Sequence, residues 1–349
     1  MKIGIIGYSL SGKTTVFNTL TGQHARADGF HAADKKANIG RIQVPDERLE
    51  ALSSIFKPKK TTSAEINFVD MAGITESSGK SGFTAEELGW MRTVDAFTYV
   101  VRAFENEAVQ HPLGKIDPAF DIESLDEELV LADLLVIEKR LSRLEKEGKK
   151  STPEYEALSR CQGSLEDGTV LREAPLDKDD IQMLTNFQFL SLKPRLILIN
   201  TGEENMELDP ALAERFSGII AFCARLEEEI SELPPEEQKE YLEVLGIDEP
   251  ARDKFIRASY KLLSLISFFT VIKDEVRAWT IEEGTEMVKA AGKIHSDMER
   301  GFIRAEVVAF EDFIAEPDMH RMKELGKLRL ESKHYQVADG DIVQIRFNV

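Results

Sequence analysis

The feature that most constrains this chain is a glycine-rich stretch close to its N-terminus. Gly7, Gly12, Lys13 and Thr14 match the pattern G-x-x-x-x-G-K-[ST], and they stand between a short apolar run and a helical pattern. A strand, a glycine-rich loop and a helix in this order let successive backbone N–H groups and the helix N-terminus converge on phosphate oxygens. The sequence therefore predicts a site for the phosphates of a nucleotide.

Different residues of this loop would bind the phosphates and the metal ion of a bound triphosphate. The ammonium of Lys13 would neutralise the β and γ phosphates, and the hydroxyl of Thr14 would be a ligand for Mg²⁺. We therefore predict Lys13 as a catalytic residue as well as a binding residue. The expected phosphate contacts are Gly7, Ser9, Leu10, Ser11, Gly12, Lys13, Thr14 and Thr15.

A second short motif, D-x-x-G, follows a later apolar run. Asp70 and Gly73 match it at the end of residues 66–69. In phosphate-loop NTPases this aspartate holds Mg²⁺ and the glycine N–H meets the γ-phosphate, so we predict a metal residue in Asp70 and a nucleotide contact in Gly73. The next residue is Ile74, which cannot orient a water molecule as the glutamine of Ras-like enzymes does. A hydrolysing version of this protein therefore needs another water-positioning group.

The residues that would contact the base follow two later predicted strands. Asn200, Thr201 and Glu203 stand where Ras-like proteins carry N-K-x-D, whose aspartate accepts hydrogen bonds from guanine. Adenine has no N1–H for that carboxylate, so the altered motif predicts a weakened guanine reader that has either lost selectivity or switched to adenine. Cys223 and Ala224, at the end of the following strand, complete the expected nucleotide contacts.

Apolar runs alternate with helical patterns through the first part of the chain. The runs predict buried strands at residues 3–6, 39–44, 66–69, 96–101, 195–199 and 219–222. Such alternation predicts an α/β fold with a doubly wound, mostly parallel sheet, whose ligands bind at the carboxyl ends of the strands. The motifs of the nucleotide site fall at such ends.

Two segments depart from this alternation. In the first, apolar residues spaced four and three apart predict one arm of an antiparallel helical hairpin of the coiled-coil type, at Val130, Leu134, Ile137, Leu141 and Leu144. An ordinary amphipathic pair of helices packed on the main domain is the alternative. The second segment, from residue 265, predicts a small mixed α+β domain. The expected domains are residues 1–123 with 191–264, residues 124–190, and residues 265–349.

Composition limits the cellular setting and the partners. The formal net charge of −19 over 349 residues argues against a broad basic surface for DNA or RNA, so any RNA contact must use local basic patches. Two cysteines, Cys161 and Cys223, predict neither a disulfide framework nor a metal cluster. With no apolar run long enough to span a bilayer and no signal peptide, we expect a cytoplasmic protein without a membrane partner.

With these residues in place, the chain resembles the YchF family, the Obg-related ATPases of the translation-factor class, over nearly its full length. Besides the nucleotide motifs, the resemblance rests on Val44–Leu49, Ala103–Asn106, Asp121–Glu123, Leu131–Asp133, Glu138–Arg140, Val276–Trp279, Gly301–Glu306 and Arg346–Val349. It implies a G domain with an inserted helical hairpin and a C-terminal β-grasp domain of the TGS type. It further implies a preference for ATP over GTP, slow Mg²⁺-dependent hydrolysis, and association with the ribosome or ribosomal RNA.

The resemblance also carries residue roles onto this sequence. His111 matches the loop histidine to which hydrolysis in this family is attributed in place of the missing glutamine, so we predict it as catalytic. Lys13 and Thr14 would contact phosphate and Mg²⁺, and Asn200 and Glu203 would lie at the base.

Two departures from the family pattern bear on function. The phosphate loop reads Gly7-Tyr-Ser-Leu-Ser-Gly-Lys-Thr14 where the family has G-x-P-N-V-G-K-S, and it is still a valid phosphate loop. Residues 30–40 contain no Thr or Ser, so the threonine that would close on Mg²⁺ and the γ-phosphate is missing, and Asp34 is a candidate substitute. Two alternatives to an ATPase stay open: a GTPase, and a nucleotide-binding scaffold with little or no hydrolysis.

Overall fold

Strands and helices alternate along the chain in the computed structural model, which describes residues 1–22, 38–71, 73–74, 82–106, 109–272 and 274–348. The strands are β1 (Lys2–Ile6), β2 (Asn38–Gln43), β3 (Lys60–Thr62), β4 (Glu65–Asp70), β5 (Ala96–Arg102), β6 (Arg195–Asn200), β7 (Ile219–Phe222), β8 (Leu265–Ile272), β9 (Glu275–Glu282), β10 (Phe302–Ala309), β11 (Arg329–Glu331) and β12 (Asp341–Phe347). The helices are α1 (Lys13–Thr21), α2 (Glu47–Phe56), α3 (Ala85–Arg92), α4 (Pro118–Lys146), α5 (Pro153–Glu166), α6 (Lys178–Leu184), α7 (Pro210–Arg215), α8 (Ala224–Glu232), α9 (Pro235–Leu245), α10 (Ala251–Leu262), α11 (Met287–Ile294), α12 (Ser296–Arg300), α13 (Phe310–Ala315) and α14 (Met319–Glu324). None of the helices in these ranges is long and apolar enough to cross a lipid bilayer.

One compact unit comprises residues 1–41 and 67–255. The sheet centred on β1 has six strands in the order β2-β4-β1-β5-β6-β7. The ladders of β1 with β4 and β5, of β5 with β6, and of β6 with β7 are parallel. Strand β5 is buried along its whole length, which explains why its sequence reads as an apolar run. The predicted doubly wound α/β fold is confirmed.

A pair of helices is inserted between β5 and β6 in this unit. Asp117 caps the N-terminus of α4 and Pro118 occupies its first turn, so this helix begins earlier than residue 124, the expected start of the inserted domain. The predicted seam packs against α5 in a buried cluster that includes Ile137, Leu141, Leu144, Leu158 and Cys161. The two helices thus form the hairpin that the apolar spacing predicts.

The second compact unit comprises residues 42–66 and 256–349. Its sheet has six strands in the order β11-β10-β12-β8-β9-β3. Strands β8 and β9 are antiparallel, as are β10 with β11 and with β12, whereas β12 pairs with β8 and β3 with β9 in parallel. This is the mixed α+β architecture expected of the C-terminal segment.

The two units differ from the predicted domain boundaries in two ways. Residues 42–66 were expected in the nucleotide domain, but they pack with the C-terminal residues, and the hairpin at 124–190 falls within the first unit. Long-range contacts explain the first difference: Arg48 of α2 pairs with Asp339 over 2.8 Å, and the Phe56 ring stacks on Phe313 with centroids 5.2 Å apart. Such partners are far apart in sequence and leave no local signal.

Candidate functional site

The loop between β1 and α1 takes a conformation that its glycines permit. Gly7 has φ +154° and Gly12 has φ +91°, and a Cβ on Gly7 would lie 2.3 Å from the Val100 carbonyl oxygen. Leu10 also has a left-handed backbone, with φ +66°, which costs about 1–2 kcal/mol for a residue other than glycine. The chain therefore holds a strained, compact turn directly before the N-terminus of α1, where phosphate sites form.

The side chain of Lys13, the first residue of α1, folds back over this loop. Its Nζ donates a hydrogen bond of 2.6 Å to the Tyr8 carbonyl oxygen, and the residue is 6 % exposed. Burial lowers the pKa of Lys13 to about 8, and the nearby Asp70 carboxylate opposes that shift. A desolvated ammonium of this kind gains free energy when an anion replaces the water it has lost.

Thr14 and Asp70 bring oxygen donors together beside the loop. Thr14 Oγ1 donates to Asp70 Oδ2 over 3.2 Å. The other carboxylate oxygen, Asp70 Oδ1, is buried and has no hydrogen-bond partner among the described residues. Burial raises the pKa of Asp70, and the Lys13 ammonium opposes this. A buried carboxylate oxygen without a partner, next to a hydroxyl, suits a hard divalent cation such as Mg²⁺.

The D-x-x-G motif lies directly against the phosphate loop. The Ile74 N–H donates to the Gly7 carbonyl oxygen over 3.1 Å, and the Ser9 N–H donates to the Ile74 carbonyl oxygen over 2.9 Å. A Cβ on Gly73 would lie 2.7 Å from Lys13 Nζ and 2.9 Å from Ser9 Cα, so this close approach requires glycine. The Ile74 side chain is buried in the apolar core and offers no polar group to a water molecule.

The remaining predicted contacts of the loop differ in exposure. Leu10 is 45 % exposed, whereas Ser11 is buried and its Oγ has no hydrogen-bond partner within the described ranges. Thr15 is half-buried in the first turn of α1, where its carbonyl oxygen accepts from Thr19.

Asp34, the candidate substitute for the missing threonine, lies outside the described residues, so its role stays a prediction.

Asn200 joins the base-side motif to the phosphate loop. Its Nδ2 donates to the Ser11 carbonyl oxygen over 3.0 Å, and its Oδ1 accepts from the Ala224 N–H over 3.2 Å. Thr201 and Cys223 are buried beside it, and burial raises the pKa of the Cys223 thiol. The structure therefore places four of the five predicted base-side residues around one buried amide.

The fifth, Glu203, lies further out. Its Oε1 is 2.9 Å from Arg225 Nε, and the two side chains are 49 % and 76 % exposed. Arg225 also approaches Glu229 over 3.7 Å. An exposed ion pair of this kind contributes less than about 1 kcal/mol and opens readily. The carboxylate predicted to read the base is thus engaged by a neighbouring guanidinium.

His111 is buried and both of its ring nitrogens have partners. Its Nε2 is 3.0 Å from Asp121 Oδ2, and its Nδ1 accepts from the Leu113 N–H over 3.2 Å. Because Nδ1 accepts a hydrogen bond, the ring proton is on Nε2, which donates to Asp121. The ring centroid is 6.4 Å from that of Tyr8 in the phosphate loop. His111 therefore stands next to the loop without offering it a free nitrogen.

Phe104 lies in the site, but from the sequence it is named only within the resemblance stretch Ala103–Asn106, without a site role. A Cβ on Gly12 would be 3.9 Å from the Phe104 ring carbon Cε1, and a Cβ on Gly202 would be 3.7 Å from Phe104 Cβ. The Arg102 guanidinium stands over the ring at 4.6 Å from its centroid. The sequence signal that could have indicated a site role is the position of this aromatic residue just after β5, at the carboxyl edge of the sheet.

These features define the class of protein. A glycine-rich loop joins the first strand to the first helix, D-x-x-G lies against it, and an asparagine from a later strand connects the glycine-rich loop to the base-side residues. On a parallel sheet these are the parts of a P-loop GTPase domain. Residues 2–139 also match the family model described as 50S ribosome-binding GTPase.

Proteins of known sequence and structure resemble the whole chain. Residues 265–348 match the family model YchF-GTPase_C, described as a protein of unknown function. The proteins named ribosome-binding ATPase YchF of Haemophilus influenzae and Bacillus subtilis are 41 % and 40 % identical to it, over all of this chain and 99 % and 100 % of theirs. A solved structure of the Schizosaccharomyces pombe YchF GTPase is 28 % identical, with a TM-score of 0.87, over 99 % of this chain and 97 % of that one. The chain belongs to the YchF family.

Proposed function

We propose that this protein is a Mg²⁺-dependent ATPase that acts in the cytoplasm in association with the ribosome. The observation that best supports this is the convergence of Lys13, Thr14, Asp70 and Gly73 on one loop, which gathers a cation, oxygen donors and backbone amides. Full-length relatives named ribosome-binding ATPase support both the activity and the partner.

Phosphate binding falls to the loop backbone, to the N-terminus of α1 and to Lys13. A phosphate oxygen would replace the Tyr8 carbonyl oxygen as acceptor for Lys13 Nζ and would supply the negative charge that the buried ammonium lacks. The helix N-terminus adds roughly half a positive charge. The proposed contacts are Gly7, Ser9, Leu10, Ser11, Gly12, Lys13, Thr14, Thr15 and Gly73.

Thr14 and Asp70 would hold the magnesium ion. The fit rests on the buried Asp70 Oδ1, which has no partner among the described residues, and on the adjacent Thr14 hydroxyl. When bound, the ion would neutralise the charge that develops on the β and γ phosphates.

Asn200, Thr201, Glu203, Cys223 and Ala224 would surround the base, and their chemistry favours adenine. A glutamate in place of aspartate moves the carboxylate that guanine needs, and its pairing with Arg225 engages the carboxylate further. GTP is the second candidate substrate, since the relative from S. pombe is named a GTPase.

His111 would assist the attacking water in place of the glutamine that Ile74 replaces. Because Nδ1 accepts from Leu113 and Nε2 donates to Asp121, the ring must leave at least one partner before it can take a proton. We therefore expect slow turnover. The same pairing favours one alternative, a nucleotide-binding scaffold with little or no hydrolysis.

A competition titration of ATP, GTP and their diphosphates, with and without Mg²⁺, tests the binding proposal. We expect ATP to bind more tightly than GTP and Lys13→Ala to lose triphosphate affinity at least tenfold. Lys193→Ala is the matched control, because Lys193 is also buried and donates to backbone carbonyls of Arg92 and Val94. Unchanged affinity in Lys13→Ala would contradict the site.

Single-turnover release of phosphate, measured with and without ribosomes, separates the enzyme from the scaffold. Release in either condition supports the ATPase, and its absence in both supports the scaffold. Co-sedimentation with ribosomes through a sucrose gradient tests the partner. Here the expected result is that the protein moves with the ribosomal fractions.

A further inference from the structure

Arg102, the last residue of β5, is among the most deeply buried large side chains of the described chain, at 1 % exposure. Its Nη1 is buried without a hydrogen-bond partner among the described residues, and no carboxylate there forms a salt bridge with it. A guanidinium buried in this way loses its hydration, and an apolar side chain of similar volume would fill the same space at lower cost. Its charge therefore needs an explanation other than packing.

The guanidinium bonds to the backbone at two separate positions. Nε donates to the Phe104 carbonyl oxygen over 3.0 Å, and Nη2 donates to the Val109 carbonyl oxygen over 3.0 Å. It also lies over the Phe104 ring, 4.6 Å from the centroid. The planar fork of donors suits such bridging, and a lysine ammonium does not reproduce it.

The two bridged positions lead to different parts of the proposed site. Phe104 lies beside Gly12 and Gly202, next to the phosphate loop and the base-side motif. Val109 is followed closely by His111, the proposed catalytic residue. Arg102 itself pairs in register with Asn200, whose carbonyl oxygen accepts from the Ala103 N–H over 2.8 Å.

We infer that Arg102 is a positioning residue that fixes the chain carrying His111 relative to the base side of the site. The inference rests on the proposed function, because it assigns Arg102 an effect on hydrolysis that acts through His111. Without the bridge, the backbone at Val109 loses its tie to β5, and His111 reaches the γ-phosphate side less often. The effect is on the rate of hydrolysis more than on the affinity for ATP.

The first test is hydrogen exchange in the nucleotide-free protein, which does not depend on hydrolysis. In Arg102→Met we expect at least tenfold faster exchange at the amides of Val109, Leu113 and Gly114, which are hydrogen-bonded in this segment. Exchange in β1 should not change. Arg102→Lys should give an intermediate increase because it keeps the charge but not the fork, and it serves as the test if the Met variant does not fold.

Arg195→Met is the matched control. Arg195 is also buried, stands over an aromatic ring (Tyr99, 5.5 Å) and lies on the β5–β6 pair, but at the opposite end of the strands. We expect it to leave exchange at Val109–Gly114 as in the wild type. Equal acceleration by both variants would overturn the inference, since it would show general destabilisation.

The second test is a double-mutant cycle on single-turnover hydrolysis. Arg102→Met should lower the rate at least tenfold and change the affinity for ATP by less than threefold, and it should have no further effect in a His111→Ala background. A further tenfold loss in that background would overturn the action through His111. If His111→Ala alone leaves turnover intact, the catalytic part of the proposed function fails, and the exchange test still decides whether Arg102 holds the segment.

Discussion

His111 and Asp121 form a buried pair in which the imidazole Nε2 lies 3.0 Å from the carboxylate Oδ2, with both side chains 2 % exposed. Asp121 stands in the first turn of α4, and its other oxygen, Oδ1, is buried without a partner in the described part of the chain. The Leu113 N–H occupies the second ring nitrogen. The histidine proposed for catalysis is therefore held in a resting position by two groups that it must exchange for water and phosphate.

Replacing His111 by alanine should slow single-turnover hydrolysis of ATP about 100-fold, the usual loss when a general base is removed. Affinity for ATP should change less than threefold, because the side chain is paired with Asp121 and not with the phosphate loop. Phosphate release measured with a coupled fluorescent sensor gives the rate. His295→Ala, an exposed histidine, is the control, and full turnover in His111→Ala would remove the residue from the mechanism.

Replacing Asp121 by asparagine should make the free energy of unfolding depend less on pH. Burial raises the pKa of Asp121 to about 6, with His111 and Lys115 opposing the shift. A raised pKa means that the folded state binds the proton more tightly than the unfolded chain does. The stabilisation that this proton gives the folded state is therefore present below about pH 4 and is lost as pH rises through about 6. We expect the free energy of unfolding of Asp121→Asn, relative to that of the wild type, to rise by about 1–3 kcal/mol between these pH values. Denaturant titrations of both proteins at each pH measure the difference, and a constant difference would contradict the prediction.

Replacing Gly12 by alanine should abolish nucleotide binding while the fold survives. The new Cβ would lie 2.2 Å from Asn200 Nδ2, and the backbone there has φ +91°, so the amide that joins the two loops must move. Gly22→Ala is the matched control, because Gly22 is also left-handed at φ +64° but has no neighbour within 4 Å of the built Cβ. The control should cost only about 1–2 kcal/mol of backbone strain and keep ATP affinity. Titration of labelled ATP compares the two variants.

Local patterns were sufficient to predict the phosphate loop and the parallel strands of the nucleotide unit. The phosphate loop depends on the order of residues 7–14, and each buried parallel strand shows itself as a short apolar run because both of its faces are covered. The apolar seam of α4 could also be predicted, because residues such as Ile137 and Leu141 recur at the helical period.

Contacts between residues far apart in sequence were not predictable. The pairing of Arg48 with Asp339 ties residues 42–66 to the C-terminal residues. Arg48 stands in the stretch Val44–Leu49 that carries the family resemblance, but nothing in that stretch indicates a partner 291 residues further along the chain. Likewise, the spacing of His111 and Asp121 does not reveal a hydrogen bond. The bond depends on where α4 begins and on the path of the chain before it. Propensity and periodicity report what a segment forms, and they do not report which charged or aromatic partner it meets.

The pairing of Glu203 with Arg225 leads to a prediction about the choice of base. In Arg225→Ala the Glu203 carboxylate loses its cation partner and is free to accept from guanine N1–H and the 2-amino group, which adenine does not offer in the same way. Since an exposed pair contributes less than about 1 kcal/mol, we expect affinity for GTP relative to ATP to rise about threefold to fivefold. Arg215→Ala breaks a comparable exposed pair with Glu123 and should leave the ratio unchanged. Competition titrations with labelled ATP give the ratio directly. If it does not move in Arg225→Ala, Glu203 does not contact the base and selectivity must come from the residues around Asn200.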